Sequence, residues 1–112
     1  MTFLFEKLDV YRKSLELAKK IHTLTSGMSP REAHLADQAR RAASSVPLNI
    51  AEGNGRWHKK ERKNLFLIAR GSCCECVPLL DLLLHAGYIN DPVHSEMKQE
   101  LDTIAKMLTA LI

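Results

Sequence analysis

The densest run of chemically useful side chains in this 112-residue chain is Arg56-Trp57-His58-Lys59-Lys60-Glu61-Arg62-Lys63, with five cations and one carboxylate in eight residues. Clustered Lys and Arg contact phosphates and make binding steeply dependent on salt. Trp57 offers a surface on which a base can stack. A turn that opens a helix also presents backbone amides to an anion. Arg40 and Arg41 add two cations in the middle of the preceding helical segment. The same run also fits a solvated helix start that keeps a small protein soluble, and on the sequence both readings stand. There is no helix-turn-helix or RNA-recognition motif, so any contact is with the nucleic-acid backbone rather than with a particular sequence.

The other reactive residue types give weaker signals. Cys73-Cys74-Glu75-Cys76 contains a C-x-x-C spacing. A thioredoxin-like use of it needs a strand before it and a helix N-terminus at it, and zinc needs about four ligands. Neither setting is present, so the cysteines read as packing residues and no metal or cofactor is expected. His22, His34, His58, His85 and His94 are scattered, with no H-E-x-x-H and no triad spacing. Glu52 is three residues from Asn49, Glu75 is three from Ser72, and Glu61 falls on the Ser72 side of its helix. Paired carboxylates in a bundle can perform acid–base work or hold two metals, but the E-x-x-H partner motif is absent. A structural network accepting from Arg56, Arg70, helix N-termini or side-chain amides is the expectation, and a catalytic use of Glu52, Glu61 and Glu75 is the alternative.

The elements that position these residues read as helices. Val10, Tyr11, Leu15, Leu17, Ala18, Ile21 and Leu24 share one face of a helix from about 9 to 26, with Asp9 as its cap and Gly27 as a left-handed stop. Ser29-Pro30-Arg31-Glu32 reads as a capping box that opens a second helix to about 52. Its stripe is Leu35, Ala39, Ala42, Val46 and Ile50, flanked by Ala36 and Ala43. Pro47 should kink or break it, and Gly53-Asn54-Gly55 should turn the chain. A third helix, about 59 to 86, has the stripe Leu65, Ala69, Ser72, Cys76, Leu79 and Leu83. Phe66, Leu67, Val77, Leu82 and Leu84 point elsewhere on the same cylinder. Pro78 should bend it and Gly87 ends it. More apolar faces than one small bundle can cover imply burial by a second copy. Asn90-Asp91-Pro92 starts a fourth helix, about 91 to 111, with Val93, Met97, Leu101, Ile104, Leu108 and Leu111 in a stripe. Short links between four such helices predict a single all-α domain, an antiparallel up-down four-helix bundle.

Composition sets the outer bounds. The chain is 46% hydrophobic and 26% charged, which excludes a disordered chain and suits one domain. No apolar run reaches the roughly 20 residues of a membrane span. Met1 to Lys7 lacks a signal-peptide core, and three clustered cysteines are no disulfide framework, so a reducing cytoplasm is expected. Residues 1–70 carry 14 Lys/Arg against 7 Asp/Glu, whereas residues 71–112 carry 2 against 6. Such polarity suggests an anionic partner or the pairing of opposite faces in self-association.

The stretch Ser44-Ser45-Val46-Pro47-Leu48-Asn49-Ile50-Ala51-Glu52-Gly53-Asn54-Gly55-Arg56 carries a signature. Together with Phe66-Leu67-Ile68-Ala69-Arg70-Gly71-Ser72-Cys73-Cys74-Glu75, Gly87-Tyr88-Ile89 and the opening Phe5 to Tyr11, it resembles the bacterial four-helix bundle family, also called the 23S rRNA intervening sequence protein or S23 ribosomal protein family. The resemblance covers nearly the whole chain. It implies a helical bundle in which Asn49, Glu52, Gly53, Ser72 and Glu75 form a structural signature. It also implies a ring, a homopentamer, because a similar protein, the accessory variability protein of diversity-generating retroelements, is a pentameric barrel that binds nucleic acid and a reverse transcriptase through basic surface. Two positions depart from the pattern. The family tends to have a small hydroxyl residue where His58 stands, which implies a weaker helix cap. It tends to have Leu where Cys76 stands, which implies missing core volume. The expected function is therefore a non-catalytic homo-oligomer that binds RNA or DNA backbone through Arg40, Arg41, Arg56, Trp57, Lys59, Lys60, Arg62 and Lys63. A protein-interaction scaffold is the alternative.

Overall fold

The computed structural model describes residues 1–112 and contains four α-helices and no strand. They are α1 (Asp9–Ser26), α2 (Ala33–Asn54), α3 (Lys59–His85) and α4 (Asp91–Leu111), with short 3-10 turns at Leu4–Lys7 and Pro30–Glu32. Each helix packs on its two neighbours, and the backbones of the diagonal pairs stay apart. The result is an antiparallel up-down bundle of 43 × 24 × 23 Å. The α2–α3 interface is the most extensive and the α1–α4 interface the thinnest. Along the thin seam, Lys20 Nζ donates to Glu100 at 2.8 Å and lies 3.8 Å from Glu96, closing with charge what few apolar contacts hold. The hydrogen bond to Glu100 raises the Lys20 pKa, with the nearby carboxylates adding to it against a small desolvation cost.

The core follows the periodicity of the sequence, with one rotation. Val10, Leu17, Ala18 and Ile21 of α1 are buried, as are Ala39, Ala42, Ala43, Val46 and Ile50 of α2 and Met97, Leu101, Ile104 and Leu108 of α4. On α3 the buried stripe is Phe66, Ala69, Cys73, Cys76, Leu80 and Leu83, joined by Ser72 and Leu79. Phe66 thus belongs to the core, contrary to the expectation that it points elsewhere, and Leu65 is only half-buried. The cause is the broad apolar surface of this helix, which lets periodicity alone choose either of two adjacent stripes.

Several local expectations are corrected. Asp9 is the first residue of α1 rather than its cap, which is Leu8 with no side-chain bond. Gly27 has φ −94°, so the stop is not left-handed, whereas Gly87 does adopt φ 86°. Ser29 Oγ accepts from the Arg31 amide at 3.3 Å, but the capping box with Glu32 does not form and the segment is a 3-10 turn before α2. Asn90 caps α4 as expected, accepting from the Val93 amide at 2.9 Å. Neither Pro47 nor Pro78 breaks its helix. Gly53 and Asn54 lie inside α2, and the turn is moved to Gly55–His58. His58 caps α3 without a side-chain hydrogen bond, in line with its departure from a hydroxyl residue.

Candidate functional site

Four helix termini or starts meet at one end of the bundle, where α1 begins, α2 ends, α3 begins and α4 ends. The side-chain bonds of the α3–α4 pair give its register. Arg70 Nε donates to Thr109 Oγ1 at 2.8 Å, and His94 Nε2 lies 2.6 Å from Asp81. In an antiparallel pair with that register, Leu111 lies opposite the residues near Phe66. Lys59 to Leu65 therefore run about 10 Å past the last turn of α4 at 1.5 Å per residue. The first turns of α3 form a cationic overhang.

The eight proposed contact residues do not form one surface. Lys59, Lys60, Arg62 and Lys63 stand together on the overhang, and Trp57 is 94% exposed in the turn before it. None of these four cations has an ion pair or a side-chain hydrogen bond within the protein. Arg56 is at the same end, but its guanidinium donates to Glu52 at 2.7 Å; that bond and the Glu52 charge raise its pKa. Arg40 and Arg41 are set apart, roughly 20 Å back along α2. Arg40 is half-buried, and its Nε donates to Thr25 Oγ1 at 2.7 Å, so it serves the α1–α2 contact. Arg41 is paired with Asp37 at 3.1 Å. The sequence placed both arginines on the flank of the α2 stripe; what it could not supply is Thr25 across the helix pair.

The signature residues gather along the α2–α3 seam. Asn49 Nδ2 donates to the Ser45 carbonyl at 2.7 Å and to Ser45 Oγ at 3.0 Å, and Ser45 Oγ is 2.8 Å from Ser72 Oγ. Ser72 Oγ also donates to the Ile68 carbonyl at 3.1 Å. This chain of polar groups ties the two helices where an apolar pair would leave hydroxyls unsatisfied. Ser45, part of the signature stretch but not among the residues expected to carry its structural role, is the middle member; its spacing of four from Asn49 was the available signal. Gly53 allows the closest approach of the pair, since a Cβ there would lie 2.9 Å from Phe66 Cε1 and 3.2 Å from Leu65 Cβ. Of the expected carboxylate network only the Arg56–Glu52 bond forms. Glu52, Glu61 and Glu75 are all exposed, and only Glu52 has an ion partner. They do not form a buried network.

Cys73 and Cys76 are buried and Cys74 is exposed. Burial pushes the Cys73 and Cys76 thiols up from 9.0 to about 12, with the neighbouring Cys74 adding to the first and Cys73 and Glu75 to the second. They are protonated packing groups at neutral pH. Cys76 borders a void too small for water, lined also by Ser14, Leu17, Ala43, Val46, Leu101 and Ile104. Nowhere do three or more His, Cys, Asp or Glu side chains converge as a metal site would require. No helix is long and apolar enough to cross a membrane.

Outside the basic end, the outer face of α3 is apolar. Leu67, Ile68 and Leu82 are 46%, 45% and 50% exposed, with Gly71 between them under open space. Val77 and Leu84 pack partly against the core instead. A single copy therefore leaves part of the apolar surface of this helix in water.

Comparison with known proteins places the chain. No functionally curated protein matches it. A crystal structure of a protein of unknown function from the S23 ribosomal protein family of Bacteroides thetaiotaomicron superposes with a TM-score of 0.85 at 27% identity, covering 92% of this chain and 97% of that one. The family model described as 23S rRNA-intervening sequence protein matches residues 6–110. With the signature seam and the four-helix topology both in place, the chain belongs to the 23S rRNA-intervening sequence protein family.

Proposed function

We propose that this protein is a non-catalytic, cytoplasmic homo-oligomer, a pentameric ring, that holds RNA or DNA by its phosphate backbone at the basic end of each bundle. The observation that carries this reading is the overhang of α3, where Lys59, Lys60, Arg62 and Lys63 lie beside exposed Trp57, none of them in an ion pair and with Glu61 the one carboxylate in the run. Many other cations of the chain are already paired, including Lys19, Lys20, Arg41 and Lys106. Unpaired cations are available to displace condensed counterions from a polyanion. The family name, with its reference to 23S rRNA, agrees with a nucleic-acid partner.

Filter binding of a structured RNA and of duplex DNA at two salt concentrations tests the reading. The expected result is a steep salt dependence that flattens in the Lys59/Lys60/Arg62/Lys63→Ala variant, by about 0.9 in log–log slope for each lost contact to duplex DNA. No retention of either nucleic acid at low salt would overturn it. Self-association is supported by the exposed Leu67, Ile68 and Leu82 of α3. Light scattering decides it, and a mass near 12.6 kDa would refute the ring.

The same apolar face, and separately Leu48 of α2, 67% exposed beside the α1–α2 groove, favour a second reading as a protein-interaction scaffold. A partner protein that remains bound after nuclease treatment, with no nucleic acid retained by the purified chain, would select it.

A further inference from the structure

Two apolar surfaces lie away from the core, and their shapes are opposite. The first is a ridge on the outer side of α3, where Leu67, Ile68, Gly71, Cys74 and Pro78 are all exposed and follow one another at helical spacing. Gly71 has open space above it, so a neighbour can approach the backbone closely there. The second is a groove of about 420 Å³ between α1 and α2, lined by Leu15, Ala18, Pro47 and Ala51 and rimmed by Tyr11 and exposed Leu48. All of these residues lie within helices. His22 Nε2 and Ser44 Oγ, 2.8 Å apart, also line the groove. A helix ridge fits a groove between two helices as it does in the core of a bundle.

The two surfaces stand at the same height along the bundle. Gly53 faces Leu65 and Phe66, and Ser45 meets Ser72, so Leu48 is level with the turn from Ala69 to Gly71. His22 meets Ser44 and Arg40 meets Thr25, so Leu15 is level with Ile50 and Ala51, and hence with the turn that holds Leu67 and Ile68. A rotation about an axis parallel to the bundle, with no shift along it, therefore keeps the ridge of one copy level with the groove of the next, which is the condition for a closed ring. The same alignment sets Glu75 level with His22 and Ser44 and about one turn from Arg40. Glu75 has no ion partner in its own chain, and Arg40 is held by Thr25 rather than by a carboxylate. We propose that a second copy of this chain seats its α3 ridge in the α1–α2 groove, so that each subunit gives one surface and receives the other. Different residues on the two sides make the contact head-to-tail rather than two-fold. The proposal rests on the self-association reading above and names the surfaces that carry it.

The test is complementation between two variants of the full chain, read by light scattering. Leu67→Asp spoils the ridge and keeps the groove, whereas Leu48→Asp spoils the groove and keeps the ridge. The two sites are 46% and 67% exposed, so both variants should fold, with circular dichroism and thermal midpoints as the check. Leu67→Ser and Leu48→Ser replace them if either aspartate variant is unfolded. Each variant alone should run as a single subunit. An equimolar mixture should form a one-to-one pair and nothing larger, because only one intact ridge and one intact groove remain in it. Full assembly of Leu48→Asp on its own, or a mixture that forms no pair, would overturn the groove as the docking site and leave self-association in place. So would a dimer captured by a short bismaleimide through native Cys74 alone, since it would set two α3 ridges face to face. A single-subunit mass for the unaltered chain would instead remove self-association and this contact with it.

Discussion

The two ends of α3 occupy the same periodic positions and face opposite fates. Toward its C-terminus the inward stripe is Cys76, Leu80 and Leu83, each at most 2% exposed, and no Lys or Arg occurs from Gly71 to Met97. Toward its N-terminus the same stripe is Lys59, Arg62 and Lys63, which run past the last turn of α4. The difference teaches that helical phase identifies an inward position but not its use. An inward position is core only where another element stands across from it. Beyond the end of that element, the same position becomes a rim.

Single replacements on the stripe give the sharpest test. Leu83→Ala should cost about 2–5 kcal/mol, as cavity-forming core truncations do. Leu82→Ala, one residue away and half exposed, should cost under about 1 kcal/mol in the isolated subunit while lowering the assembled mass. Urea melts and light scattering read the two effects, and equal costs would break the distinction between inward and outward faces.

Alkaline pH probes the buried end next. Cys73 and Cys76 titrate near 12 in the fold against 9.0 when exposed, so the folded state holds more protons between those values. Stability is then fully present below pH 9 and falls as pH rises toward 12, by on the order of 2 kcal/mol at pH 10. The raised Lys20 pKa acts in the same direction. The fall should be shallower in Cys73→Ala/Cys76→Ala, measured by urea midpoints at several pH values. A thiol reagent should label Cys74 promptly and the other two only on unfolding.

Gly53→Ala should destabilise by about 1–2 kcal/mol, because overpacking against Phe66 and Leu65 outweighs the gain in helix propensity. A rise in melting temperature would show that the α2–α3 contact can open. Asn49→Ala removes the donor to Ser45 and should cost about 1 kcal/mol, lowering the melting temperature or assembly before it affects binding. Normal stability with lost binding would recast Asn49 as a ligand contact. Smallest of all should be the effect of the four-cation alanine variant on stability, within about 0.5 kcal/mol, although it is the change that most reduces retention of nucleic acid.

Much of this was legible before any coordinates. Four apolar stripes, the Asn90-Asp91-Pro92 start and Gly87 placed the helices to within a few residues. The boundaries that slipped lie at Ser29-Pro30 and Gly53-Asn54, and at Asp9 only the cap moved, to Leu8; there several neighbouring residues could serve as cap or stop and local propensity does not choose among them. Pro47 and Pro78 lie inside continuous helices, since a packed helix can continue past one missing hydrogen bond. The basic cluster was legible as charge. Its division was not, since Arg40 is held by Thr25 and Arg41 by Asp37, and only the first of these bonds crosses between helices.

Helical periodicity and composition by themselves determined the all-α class, the helix count and the separation of positive and negative halves, and the run Ser44 to Arg56 added the family likeness. Those properties depend on residues close together in the chain. The tertiary structure alone decided that Phe66 rather than Leu65 is buried at the start of α3, that Ser45 links Asn49 to Ser72, and that Thr25 holds Arg40. Each of these depends on what stands across a gap, and the register of one helix against another is set by packing over the whole bundle rather than by any local run of residues.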